Sequence, residues 1–317
     1  PTAIASAIDE LCRSELGSDV AGARFYRVSV GCVAGVDLDD GRAVVIKAQV
    51  SRRPAATFSA LFAVRRHLAL SGFPCPAPIG EPVERRGRWI TFEELVERGR
   101  AADAHDPRVR KQLATSLAQV VALSRSLVGN TRLGAAWFTS VPDERTWPRP
   151  HSPLFDFEAT AEGAGWIDEL ALRARKLRND ATGDRVIGHF DWRVEHARFG
   201  SDGEIVATYD WDSLHEERET VMVGANAHAF TADWGRSDIV RVPRVAEMAA
   251  FVDEYEGARG KQFTRSERQT IAASCVYSIA YTARCNHAID PKAEAWNGDF
   301  RPLLRAEADA LLAGAWI

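Results

Sequence analysis

The chain has 317 residues, more than one hydrophobic core usually serves and comfortable for two lobes. Its 46% hydrophobic and 26% charged residues are ordinary for a globular protein, and a net charge of -4 speaks against a nucleic-acid-binding body. Five scattered cysteines with no C-x-x-C pair read as reduced thiols, the N-terminal stretch is amphipathic rather than signal-like, and no apolar run is long enough to span a bilayer. A cytoplasmic protein without membrane or nucleic-acid partners is the expectation.

An apolar stripe of Ile4, Ile8, Leu11 and Cys12 predicts a short helix over residues 3–16. Strands follow over residues 24–30, 32–38 and 42–50, the last two joined by Asp39-Asp40-Gly41, a strong hairpin signal. The third strand, Ala43-Val44-Val45-Ile46-Lys47, is an apolar run with a Lys at its end. Residues 56–71 carry Phe58, Leu61, Phe62, Val64 and Leu68 at helical spacing and stop at Gly72. The prolines of Phe73–Pro78 disfavour helix, so an extended link leads into a hairpin over residues 79–83 and 88–95. From Pro107, helical spacing dominates: Val109, Leu113, Leu117, Val120 and Val121 form one stripe, residues 128–160 read as an irregular insertion, and Trp166 to Leu177 mark another helix.

The chemistry concentrates in Val186 to Asp212. A short apolar run delivers His189-Phe190-Asp191 onto a loop, and two β-prone runs flank Gly200-Ser201-Asp202-Gly203. A hairpin there returns the chain to Asp210 and Asp212 near Asp191, and two acidic groups at the open end of a hairpin can share a cation. His189-x-Asp191, a polar residue five positions later, the hairpin and Asp210-Trp211-Asp212 together resemble the core of the aminoglycoside phosphotransferase and choline kinase-like family of the protein-kinase-like superfamily. The likeness runs from about Cys32 to Trp234.

That resemblance implies an α+β, two-lobed fold: a small antiparallel-sheet lobe over residues 1–95, a larger mostly helical lobe over residues 96–317, and nucleotide in the cleft between them. It implies that Asp191 accepts the proton of an attacking hydroxyl, that Asp210 holds the magnesium bridging the nucleotide phosphates, and that Lys47 contacts those phosphates. It places adenine against backbone groups of Phe92–Leu95, with Glu93 and Leu95 as the binding positions. The Gly31–Gly35 stretch sits where a phosphate-covering loop would lie. Two departures stand out. The family's pattern has Asn where this chain has His196, and an imidazole suits manganese better than magnesium, so His196 either ligates metal or faces substrate. Such folds also place a Glu on the helix after the Lys-bearing strand, yet residues 42–79 contain no acid. Either Lys47 is held by Asp210 and the phosphates, or the nucleotide site is weakened.

After Asp212 a polar run leads to a helix expected over Val221–Trp234, then a helix over residues 243–257, a capping box at Thr264-Arg265-Ser266-Glu267 opening a long helix to about Ala288, and a final helix from Pro302 to near Gly314. Asp212, Glu216 and Asp233, with Trp234 nearby, would suit a cationic or amino-bearing acceptor. The expected activity is transfer of the γ-phosphoryl of ATP or GTP, with magnesium or manganese, to a hydroxyl of an amino sugar, aminoglycoside or similar small molecule. The competing reading is a kinase-shaped nucleotide- or ligand-binding protein with little or no catalysis.

Overall fold

A computed structural model of the chain describes residues 2–28, 31–50, 54–142, 144–179, 183–293 and 295–314. The chain forms two compact units, Pro1–Arg98 and Gly99–Ile317.

The first unit runs α1 (Thr2–Leu16), β1 (Val20–Val28), β2 (Cys32–Leu38), β3 (Ala43–Gln49), α2 (Ala55–Leu70), β4 (Pro78–Arg85) and β5 (Arg88–Glu94). Ser29 and Val30, expected to end the first strand, lie outside the described residues. All five strands are antiparallel in the order β1-β2-β3-β5-β4. The Asp-Asp-Gly turn closes as its sequence demands, with Gly41 at φ 86° and its N–H donated to Leu38 O at 3.0 Å. Side chains alternate across a strand, so the sheet has two distinct faces. Val36, Leu38, Val44, Ile46, Ile90 and Phe92 share one core cluster with Cys12 of α1. The alternate residues of β5 meet α2, where Trp89 stacks on Phe58 at 4.8 Å between ring centres and Glu93 pairs with Arg65. Burial of Ile90, Thr91, Phe92 and Glu93 in succession follows from this double covering.

The second unit contains α3 (Pro107–Ser124), α4 (Gly165–Asn179), β6 (Arg185–His189), β7 (Ala197–Phe199), β8 (Ile205–Thr208), β9 (Leu214–Arg218), α5 (Glu219–Ala227), α6 (Val245–Arg259), α7 (Arg265–Ile289) and α8 (Arg301–Leu312). Helix α3 starts where Asp106 accepts the Arg108 N–H and Pro107 needs no partner for a missing donor. Helix α7 opens on the Thr264/Glu267 capping box, and nearly all of Thr270–His287 is buried, so it forms the axis on which the unit packs. Between Leu127 and Gly165 the described residues form turns only, as the insertion reading expected.

Two expectations are corrected here. Residues 214–218, read as a polar run, form β9, antiparallel to β6 with His189 opposite Leu214. The strand carries its charges because they find fixed partners: Glu217 accepts from the Thr139 hydroxyl at 2.7 Å, and Arg218 donates to Gly183 O at 2.7 Å. The helix expected to reach Trp234 ends at Ala227, since the chain then turns so that Phe230 O accepts the Val194 N–H and the Phe230 ring stacks on Phe251.

Helix α5 lies hard against α7 at Gly224, where a Cβ would sit 2.3 Å from Ile271 O and 3.0 Å from Cys275 N. Backbone atoms cannot swing aside, so the helices would have to part. Gly224→Ala is therefore expected to lower stability by about 2 kcal/mol, read as a lower urea midpoint at unchanged slope. A midpoint equal to the parent's would show that this helix contact tolerates a methyl group.

Candidate active site

The second unit brings three sequence-predicted residues together. Asp191 follows β6, His196 precedes β7, and Asp210 follows β8. One ligand atom from each lies within 4.8 Å of the others. The hairpin achieves this directly, because Ala197 pairs with Thr208 and the Tyr209 N–H bonds His196 O at 2.8 Å.

His189 ties the two halves of the site. Its Nδ1 accepts the Asp191 N–H at 3.1 Å, and its Nε2–H donates to Asp210 O at 2.8 Å. Both bonds require the neutral tautomer protonated at Nε2. The environment enforces neutrality: burial pushes the imidazole down to about 4, and His196 adds to the push. Trp192 and Trp211 wall the ring edge-on at 5.3 and 5.5 Å. The Trp192 indole N–H is satisfied by Leu113 O at 2.9 Å, which anchors the loop to α3. Asn226 of α5 completes the brace by accepting the Trp192 N–H at 2.8 Å and donating to His189 O at 2.7 Å.

Asp210 sits in the left-handed region at φ 59°, a conformation an Asp tolerates better than most residues. Its side chain is 47% exposed and that of Asp191 36%, so both carboxylates are open to a small molecule. His196 Nδ1 donates to Asp191 O at 3.0 Å, which leaves Nε2 as the lone-pair nitrogen, 3.4 Å from Asp210 Oδ2. An oxygen and a nitrogen lone pair thus converge beside Asp191. The donor set fits a divalent cation that accepts mixed oxygen and nitrogen ligands.

Arg193 is the residue sequence reasoning missed. Its Nε lies 2.8 Å from Asp191 Oδ1, its Nη2 donates to Asp191 Oδ2 at 3.0 Å and to His196 Nε2 at 3.1 Å, and its Nη1 is 3.2 Å from Glu195. Burial pushes the Asp191 carboxyl up, but the Arg193 guanidinium beside it outweighs burial and holds it below the usual carboxylate range. The only sequence signal was an Arg two residues beyond a candidate catalytic Asp.

The acceptor residues fare differently. Asp212 lies in the turn following Asp210, partly exposed. Glu216 is buried on β9, accepting the Gly129 N–H at 3.1 Å and pairing with Arg185 at 3.5 Å, so it supports the insertion instead of facing an acceptor. Asp233 is buried as well and accepts the Gly235 N–H at 2.9 Å. Trp234 is exposed, yet the Arg241 guanidinium lies 5.1 Å over it and 5.8 Å over Trp296. His151, given no role by the sequence, bonds the Tyr281 hydroxyl at 2.8 Å inside an aromatic group with Trp137.

In the first unit, Lys47 Nζ lies 3.4 Å from Glu93 Oε1, and Arg65 Nη2 lies 2.5 Å from Glu93 Oε2. The Glu93 side chain therefore pairs with both cations. Of the backbone groups expected near adenine, the Leu95 N–H donates to Ala43 O at 3.0 Å.

With this geometry in view, the comparisons are decisive on family. The model of the phosphotransferase enzyme family matches residues 22–215. The chain belongs to that phosphotransferase family. The match takes in both the Lys47 strand and the Asp191–Asp210 hairpin. A search of curated proteins finds no significant match. Among solved structures, an amicoumacin kinase in complex with AMP-PNP and Ca2+ is similar at 12% identity and a TM-score of 0.62, covering 92% of this chain and 85% of the other. A spectinomycin phosphotransferase in complex with ADP and spectinomycin gives 14% identity and a TM-score of 0.57, covering 97% and 93%. A macrolide 2'-phosphotransferase from Brachybacterium faecium gives 15% and 0.55, covering 92% and 99%. At such identities the structural likeness speaks for the fold, which is the two-lobed kinase-like architecture expected. As a member of this family the chain is a phosphotransferase with a hydroxyl group as acceptor. No helix among the described residues is long and apolar enough to cross a membrane.

His228, like His189, is pushed down to about 4 by burial from an ordinary value of 6.5. Both rings stay neutral in the folded phosphotransferase, while the unfolded chain takes up protons below pH 6.5. Stability present above that pH is therefore lost progressively as pH falls towards 4. Urea midpoints should drop between pH 7 and pH 5, and His228→Gln should drop less over the same interval. Equal slopes for parent and variant would show that His228 does not titrate on unfolding.

Proposed function

We propose that this protein transfers the γ-phosphoryl group of ATP or GTP to a hydroxyl of an amino sugar, aminoglycoside or related amino-bearing small molecule. The observation that carries the reading is the convergence of Asp191, His196 and Asp210 at the open end of one hairpin. Asp191 takes the hydroxyl proton as the oxygen bonds to the γ-phosphorus and the bridging oxygen leaves with the nucleoside diphosphate. Arg193 fixes the orientation of that carboxylate through the Nη2 hydrogen bond and the close ion pair at Nε, and holds it in its ionised form. Asp210 and His196 are the residues that would hold a divalent cation, which when bound neutralises charge on the phosphates. Lys47 supplies a further positive charge to the phosphates. The small unit Pro1–Arg98 is the part that serves the nucleotide, and Gly99–Ile317 the part that serves acceptor and chemistry.

Two features support the acceptor class. The similar structures include kinases of amicoumacin, spectinomycin and macrolides. Phe190, next to Asp191, packs on the buried Phe138 at 5.9 Å, and Phe138 meets Trp137 at 5.6 Å, whose exposed ring is the member of this aromatic group that could pack against a sugar ring.

Phosphate transfer should be screened with ATP and with GTP against aminoglycosides, amino sugars, choline-like amines and macrolides. Asp191→Asn should bind nucleotide as the parent does and lose at least about 100-fold in transfer. Comparable turnover by that variant would remove Asp191 from its role, and transfer confined to acceptors without an amine would overturn the acceptor class.

The metal assignment has its own expected outcome. With His196 nitrogen in the ligand set, the parent should turn over faster with manganese than with magnesium, and His196→Asn should move the preference towards magnesium. Asp210→Ala should abolish the tightening of nucleotide binding by either metal. If His196→Asn raises only the Michaelis constant of the acceptor, His196 faces substrate instead.

A further inference from the structure

The kinase-like resemblance calls for a carboxylate on the helix after the Lys-bearing strand, and α2 has none. In its place stands Arg65, a cation, only 1% exposed at its side chain. Two cations, Lys47 and Arg65, then meet one carboxylate, Glu93, itself 5% exposed. The sheet explains how. Lys47 on β3 lies opposite Thr91 on β5, so Glu93, two residues along, projects from the same face as Lys47 and is its diagonal neighbour. Helix α2 covers that face and adds Arg65, whose guanidinium also lies 5.4 Å over the Phe62 ring and donates to Pro76 O at 3.4 Å.

Burying charge is costly unless it is paired, and removing one partner of a buried pair is costlier still. Burial pushes the Glu93 carboxyl up, but Lys47 and Arg65 outweigh it and hold Glu93 ionised. Arg65 is fully enclosed, whereas Lys47 keeps 13% of its side chain exposed. Lys47 is thus the more accessible of the two cations.

We infer that Glu93, braced by Arg65, is the positioning residue for Lys47: the carboxylate that sets the lysine for the nucleotide phosphates comes from strand β5 and not from helix α2. The inference rests on the reading of Lys47 as the phosphate contact. It gives Glu93 a side-chain role beside the backbone role expected of it.

The test is a double-mutant cycle on the full chain: parent, Lys47→Met, Glu93→Gln and the double variant, titrated calorimetrically with ATP–Mg2+ and with adenosine. Glu93→Gln should weaken ATP binding about tenfold and leave adenosine within twofold, because the nucleoside has no phosphates. In the Lys47→Met background, Glu93→Gln should weaken ATP no further. Should Lys47→Met bind ATP as the parent does, the reading of Lys47 itself fails. Loss of ATP affinity in Lys47→Met but not in Glu93→Gln overturns the positioning role alone. Equal loss for ATP and adenosine, or a Glu93→Gln effect that persists without Lys47, makes the cluster a structural ion pair and also overturns it. If Glu93→Gln does not fold, Arg65→Met/Glu93→Met removes the buried pair together and replaces it with apolar volume, and the same criteria apply to it.

Discussion

The active end of the larger unit depends on one uncharged imidazole. His189 accepts from the Asp191 backbone and donates to the Asp210 backbone, so the loops carrying these two carboxylates are joined through a single ring. A protonated His189 could not accept the Asp191 N–H, and a ring protonated at the other nitrogen could make neither bond as oriented. The surroundings secure the required form by burial, by the two tryptophans and by Asn226 behind the loop. Asp210 can hold its left-handed backbone because its carbonyl is fixed by this ring and the adjoining Trp211 is wholly buried.

Charge around Asp191 is distributed with similar economy. Arg193 reaches Asp191, Glu195 and His196 at once, so the cation paired with Asp191 also borders the lone pair of His196. A divalent ion binding at Asp210 and His196 would share that lone pair's surroundings with Arg193, and the guanidinium would have to yield the nitrogen. In the proposed mechanism, orientation of Asp191 and occupancy by a metal would therefore be coupled through one side chain.

Much of this was legible in sequence because it is local. The Asp-Asp-Gly turn, the Gly200–Gly203 turn and the spacing from Asp191 to Asp210 each depend on neighbours within one hairpin, and the Thr264 capping box within one helical turn. What escaped reading depends on partners far along the chain. Strand β9 is Leu-His-Glu-Glu-Arg, which has no strand-like alternation; its carboxylates are tolerated because Gly129, Thr139 and Arg185 come to meet them. The same contacts withdraw Glu216 from the acceptor side. Helix α5 looked longer than it is, since Phe230 is as apolar as a helical residue should be, yet it is used to stack on Phe251. Glu93 read as a hinge residue because nothing in a linear sequence says that Arg65, on a helix, will need it.

The position of Glu93 has a consequence for control. In kinase-like enzymes a carboxylate on a mobile helix makes the lysine contact a switch, since displacing the helix breaks the pair. Here both members of the Lys47–Glu93 pair lie on adjacent strands in the interior of a five-stranded sheet, with β2 beyond one and β4 beyond the other. A shift of α2 would carry away Arg65 while leaving lysine and carboxylate in register. If Lys47 contacts phosphates as proposed, its carboxylate partner therefore stays beside it whatever α2 does, and movement of that helix is not a way to break the pair.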